Sequence, residues 1–265
     1  MTASHKPAEG IVIVGAKLRP PKSQPCLRRE RLFCRLDEAL RSPVVWLCSG
    51  GGYGKSTLVA SYLAARGVPS FWYTLDPLDA RGHVFASYLL HGLNSAIPAP
   101  EATPPVQFSS GEGRERMTLA LRAVLAELER LGQDMVIVLD DFHRAAGSAD
   151  VAGLVDQLVA DLPPRVHLVL IGRKPPDLPL AQYRLRNQLA ELGREELAFT
   201  REELIELFEL VYRTRLSEEE SDLLLAHTQG WVASLRLAHE ALKALTGSDR
   251  VRFWANLAET SAVFN

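Results

Sequence analysis

The chain has 265 residues, 47% hydrophobic and 23% charged, with a formal net charge of −2. That length suits one large domain or one domain plus a smaller module, and the balance is that of a folded globular protein. Disorder throughout, collagen-like repeats and a disulfide mini-protein are excluded, and the charge argues against a dedicated nucleic-acid coat or membrane-surface binder. No apolar run reaches the roughly 18 residues of a membrane-spanning helix, and the opening MTASHKPAEG lacks a basic-then-apolar leader. Cys26, Cys34 and Cys48 lack C-x-x-C spacing, and no H-E-x-x-H motif is present. A reducing, cytoplasmic setting is expected.

In chain order, the first segment is basic. Lys17, Arg19, Lys22, Arg28, Arg29, Arg31 and Arg35 stand among Pro20, Pro21 and Pro25, which favour extended backbone; a solvated arm is one reading of it. Leu32, Phe33, Leu36, Ala39 and Leu40 recur at helical spacing, so a short amphipathic helix is predicted over 29–40. Strand-like and helix-like stretches then alternate. Val44–Cys48, Phe71–Leu75, Met135–Leu139 and Val166–Ile171 read as strands; Leu58–Ala65, His83–Ile97, Met117–Leu131 and Val151–Leu162 read as helices. Strands that are apolar on both faces and separated by helices predict a parallel sheet covered on both sides. A Pro-, Ser- and Gly-rich stretch, Pro98–Gly113, is expected to be a surface loop.

After about Thr200 the pattern is helical only. Thr200 with Glu203, and Ser217 with Glu220, fit the S/T-x-x-E capping box, and Gly230 fits a left-handed stop before a helix over Trp231–Leu245. The predicted organisation is a basic arm and short helix over 1–42, an α/β nucleotide-binding domain over 43–199 and a helical subdomain over 200–265.

The strongest chemical signal is Ser49-Gly50-Gly51-Gly52-Tyr53-Gly54-Lys55-Ser56-Thr57, between a strand and a helix. Glycines let the backbone curl so that its amides point at phosphate oxygens, and the new helix aims its positive end at the same place. Lys55 can reach the β- and γ-phosphates, and the Ser56 hydroxyl can ligate Mg²⁺. Serine stands at position 49, where the usual G-x-x-x-x-G-K-[ST] pattern has glycine. A nucleotide-bound magnesium also needs a carboxylate from a neighbouring strand. Asp140 is assigned to that metal and Asp141 to the attacking water. Aspartate is one methylene shorter than glutamate, which predicts slow hydrolysis. Arg173 follows the strand VHLVLI and is placed to fork onto γ-phosphate oxygens. His143 reads as structural, with a phosphate contact as the less favoured role.

Taken together, KLRPP (Lys17–Pro21), RRERL (Arg28–Leu32), SGGGYGKSTL (Ser49–Leu58), FASYLL (Phe85–Leu90), IVLDDFH (Ile137–His143), LIGRKPPDLPL (Leu170–Leu180), LRNQLAELG (Leu185–Gly193), LAFT (Leu197–Thr200) and QGWVASLRL (Gln229–Leu237) resemble a known family. They are similar to the nucleotide-binding region of MalT-type, LuxR-family ATP-dependent transcriptional regulators, of the STAND class of P-loop ATPases. The resemblance runs from about Lys17 to Leu245, and in that family Ser49 and the double aspartate are ordinary. It implies a P-loop NTPase fold of three α/β/α layers, sheet order 5-1-4-3-2, followed by a small all-α subdomain. It also implies ATP or ADP with Mg²⁺ as ligands and self-association favoured by ATP. By motif position, phosphate binding falls to Gly52, Gly54, Lys55, Ser56 and Thr57, the metal to Ser56 and Asp140, γ-phosphate sensing to Arg173, adenine contact to the region of Arg29, and packing of the helical subdomain to Trp231. Family members continue into further modules, including a DNA-binding one, that this sequence does not show, so a fragment or truncated product is expected. The competing readings are an AAA-type ATPase, a small-molecule kinase, or a nucleotide-binding remnant that signals through nothing.

Overall fold

The computed structural model describes residues 11–22, 25–96, 113–132, 134–245 and 247–263. The expected loop at Pro98–Gly113 lies outside these residues except for Gly113. A single turn of 3-10 helix at Gly15–Leu18 precedes the extended Pro20–Pro21 stretch. Then α1 (Glu30–Ala39), β1 (Val44–Cys48), α2 (Lys55–Arg66), β2 (Ser70–Thr74), α3 (Gly82–Ala96), α4 (Arg114–Leu131), β3 (Met135–Asp140), α5 (Ala149–Ala160) and β4 (Val166–Gly172) follow in order. Next come α6 (Leu180–Leu185), β5 (Leu189–Leu192), α7 (Arg194–Leu197), α8 (Arg201–Glu206, continued by a π-helical turn over Leu207–Val211), α9 (Glu218–Thr228), α10 (Val232–Ala244) and α11 (Gly247–Val263).

All five strands are parallel, in the order β2-β3-β4-β1-β5. Read from the other edge this is 5-1-4-3-2. Successive residues of a strand face opposite sides of the sheet, and both sides are buried here. Val44 and Trp46 of β1 join Ile137 and Leu139 of β3 beneath α3, α4 and α5; Val45 and Leu47 join Val136, Val138 and Val169 beneath α1 and α2. A third cluster, around Phe199, Leu204, Phe208, Leu224 and Leu235, forms the core of the C-terminal helices. The fold is the three-layer α/β/α P-loop type, with a helical subdomain after it. Among the described residues no helix is long and apolar enough to cross a membrane.

The capping boxes are present in full. Thr200 Oγ1 accepts from the Glu203 amide and Glu203 Oε2 from the Thr200 amide, and Ser217 and Glu220 repeat the exchange. The stop after α9 is left-handed at two successive residues, Gln229 (φ 47°) as well as Gly230 (φ 70°). The basic segment is not simply a solvated arm. The Lys17 ammonium pairs with fully buried Asp79 and lies 4.5 Å from the centre of the Tyr88 ring. Helix α1 supplies Leu32, Phe33 and Leu36 to the same core as α2.

Arg29 fastens this segment to the C-terminal helices. Its buried guanidinium donates to the carbonyls of Leu197 (2.9 Å) and Ala198 (2.8 Å) and pairs with Glu203 at 2.7 Å, over the face of Phe199. Removing one partner of a buried pair strands the other charge. Glu203→Ala is therefore expected to lower the unfolding free energy by about 3 kcal/mol in urea titrations. A loss below about 1 kcal/mol, the worth of an exposed pair, would show that the pair does not fasten the subdomain.

Candidate phosphate-binding site

The sheet brings the carboxyl ends of β1, β4 and β3 side by side, with Cys48 opposite Gly172 and Leu139 opposite Leu170. The chain leaves β1 through Ser49–Gly54 and enters α2. Gly52 (φ 76°) and Gly54 (φ 74°) take left-handed backbone that other residues adopt only with strain. As a result, the main-chain amides from Gly50 to Thr57 find no acceptor among the described residues, and the next, Leu58, returns to the Gly54 carbonyl at 2.8 Å. Free amides at a helix start under the positive end of its dipole form an anion site.

Around this loop stand the charged groups. Lys55 is 8% exposed, and its Nζ donates to the carbonyls of Ser49 and Gly50, both at 2.8 Å, and to Ser49 Oγ at 3.1 Å. Burial holds its ammonium below the usual lysine range, and the charge of Arg173 acts in the same direction. A serine at 49 thus supplies both a hydroxyl and a carbonyl to the lysine. The Ser56 hydroxyl donates to Asp140 Oδ1 at 2.9 Å, from the start of α2 to the end of β3, and the Asp141 amide donates to the same oxygen at 2.9 Å. A half-buried hydroxyl paired with a buried carboxylate beside a bed of amides fits a Mg²⁺ ion that would be held through Ser56 and Asp140 and otherwise by water and phosphate oxygens. The Arg173 guanidinium lies over Gly51, within 3.4–3.7 Å of where a Cβ on that glycine would stand. The structure therefore brings Ser49–Thr57, Asp140, Asp141 and Arg173 to one pole of the sheet. Arg29 is not among them, since its donors serve the junction with the helical subdomain.

One part of this site did not emerge from the sequence. Trp231 is no packing anchor of the helical subdomain: it is 37% exposed, and its indole Nε1 donates to the Gly51 carbonyl at 2.8 Å. The Ala233 amide donates to the Gly52 carbonyl at 3.1 Å. Arg194 spans the same junction, with its guanidinium over the Tyr53 ring and bonded to Gln229. The start of α10 is thus seated on the phosphate loop. Lys55 Nζ, the Arg173 guanidinium and the start of α10 all lie against the loop. The QGWVASLRL motif was the only hint in the sequence, and nothing local in it names a partner 180 residues away.

The chain is 28% identical over 227 residues, 85% of its length, to the HTH-type transcriptional regulator MalT of Yersinia pestis, and 28% identical over 242 residues to that of Cronobacter sakazakii. It spans about a quarter of the length of these curated relatives. No family model matches. Among solved structures it is similar to the Walker-type ATPase of Pyrococcus abyssi, with a TM-score of 0.53 at 17% identity over 93% of this chain and 76% of that one. It is also similar to a STAND protein with a tetratricopeptide repeat sensor from Pyrococcus horikoshii, with a TM-score of 0.50 at 17% identity over 83% of this chain and 31% of that one. The fold and loop thus define an α/β/α domain of the P-loop type, and among curated proteins the likeness is to MalT-type transcriptional regulators.

Burial pushes the Asp140 carboxyl up to about 6, against the pull of the Ser56 hydroxyl. An unfolded aspartate titrates near 3.9, so between about pH 4 and 6 the native state holds the extra proton and stability falls as pH rises. Above that window the ionised group costs on the order of 3 kcal/mol. Asp140→Asn, whose amide oxygen can still accept from Ser56, should therefore stabilise the metal-free protein at pH 8 and have no such effect below pH 4. Equal denaturation midpoints for the two proteins at pH 8 would show that Asp140 is not held ionised against burial.

Proposed function

We propose that this chain is the ATP- or ADP-binding switch module of a MalT-type transcriptional regulator, in which Mg²⁺-dependent, slow ATP hydrolysis controls self-association. The observation that carries the reading is the run of main-chain amides from Gly50 to Thr57 without an acceptor, lying between Lys55 and Arg173. Dense anionic oxygen is the chemistry that satisfies such a bed.

In this reading the amides from Gly50 to Thr57 bind the phosphates, and Lys55 moves from the Ser49 and Gly50 carbonyls onto the β- and γ-phosphates. Ser56 and Asp140 hold Mg²⁺, which when bound neutralises phosphate charge. Asp141 orients the attacking water, and its short side chain keeps turnover slow. Arg173 reports the γ-phosphate. That Arg173 already reaches Gly51 within one chain favours sensing in cis over an arginine lent by a neighbouring subunit. The nucleotide domain spans 43–199, and the helical subdomain, 200–265, is its cover. Because Trp231 and Ala233 bond to loop carbonyls, phosphate entry and the seating of α10 are coupled. Nucleotide thereby changes the surface offered to a second copy.

Lys55→Ala should abolish ATP and ADP binding in calorimetry, since it removes the mobile counter-charge; wild-type affinity in that variant would sink the assignment. Arg173→Ala should leave ADP affinity intact and equalise it with that for ATP. An ATP preference retained by this variant would place the sensor elsewhere.

A further inference from the structure

The turn after β3 contains a buried ring nitrogen that the reading above leaves unused. Asp141 is left-handed (φ 54°), a conformation that costs a non-glycine residue energy and concentrates at functional sites. Its carboxylate faces two basic groups of its own turn. Arg144 Nε lies 3.3 Å from Oδ2, and His143 Nδ1 lies 3.8 Å from Oδ1. The Arg144 pair is largely in water and holds the carboxylate weakly. His143 is different. Its ring is mostly buried, and its Nδ1 is fully buried without a hydrogen-bond partner. Burial holds the imidazole below its usual range, with Arg173 adding to the effect and Asp141 opposing it. A neutral ring carries one N–H. Leaving a buried nitrogen unbonded is costly, and a separation of 3.8 Å is too long for a bond. Phe142, between the two residues, is buried in the core and anchors the turn.

We infer that His143 is the positioning residue for Asp141: on nucleotide binding its Nδ1–H bonds to Asp141 Oδ1 and sets the other carboxylate oxygen toward the attacking water. The inference rests on the nucleotide reading above. In the hydrolytic step the water oxygen bonds to the γ-phosphorus, and the bond from that phosphorus to the bridging oxygen breaks. Its electron pair stays on ADP. The water proton goes to Asp141 Oδ2, while His143 keeps its own proton throughout. Without the histidine, nothing opposes the existing pair of Oδ2 with Arg144, so the carboxylate is not drawn toward the water, and small misplacements of a reacting group are costly in rate.

Two substitutions separate this role from simple packing. His143→Asn carries an amide donor near the place of Nδ1, whereas His143→Gln carries it near the far nitrogen of the ring. Both are polar, and neither opens a large cavity. Single-turnover hydrolysis is followed with protein in excess over radiolabelled ATP and Mg²⁺, alongside calorimetric ATP affinity and thermal midpoints. The expected result is a rate within about threefold of wild type for His143→Asn and about tenfold lower for His143→Gln, with ATP affinity unchanged in both. In an Asp141→Asn background the His143→Gln change should have no further effect on rate. Equal rates for the two variants, a loss of affinity instead of rate, or additive effects in the double variant would overturn the inference and leave nucleotide binding standing. A wild-type protein that binds ATP and never turns it over would overturn it as well. Failure of the wild type to bind ATP at all would remove the nucleotide reading and this inference together.

Discussion

The hydrogen bond from the Ser56 hydroxyl to Asp140 Oδ1 ties the start of α2 to the end of β3. It joins two parts of the chain separated by 84 positions, and the whole pole of the sheet is organised about it. It is possible only because β4 lies between β1 and β3, so that the loop after β1 and the acid after β3 open onto the same crevice. That strand order sets the ligand pole of a doubly wound sheet. The same bond keeps a buried carboxylate partly satisfied when no cation is present.

The seating of α10 on the phosphate loop ties the helical subdomain to the site as well as to its own core. Its core is separate from the two cores of the sheet, and the contacts that join it to the rest include the buried ion pair of Arg29 with Glu203, the bond of Arg194 to Gln229, and the bonds from Trp231 and Ala233 to loop carbonyls. The first is deep and charged, and suits a permanent fastening. The last fall on the phosphate loop, and the Trp231 side chain is partly in water.

How much could be read in the sequence follows from how local each determinant is. The strands VVWLC, MVIVL and VHLVLI stand out because they are buried on both faces and so are continuously apolar. The capping boxes at Thr200 and Ser217 involve residues three apart. The phosphate loop is legible because its glycines and its lysine are contiguous. By contrast, β5 is four residues long, includes Glu191 and is only partly buried, so periodicity gives it no signal. The π-helical turn over Leu207–Val211 and the short α6 are set by what packs on them. Long-range pairings proved the least legible: Lys17 with Asp79 and Trp231 with Gly51 became visible only in the folded chain. Trp231 misled most, because a large aromatic residue in a helical region suggests a core position.

The two rims of the sheet bear on how copies of this chain could meet. At one rim the Gly15–Leu18 turn is packed against β2. At the other, β5 is short, and its Glu191 carboxylate is held by Arg184 in a two-pronged pair at 2.7 and 2.8 Å. Charge and brevity at a border strand discourage main-chain annealing with a neighbour. Any ordered assembly of this chain is therefore steered toward docking through helix faces and loops, where it can be reversed, and away from continuous β-stacking, where it could not.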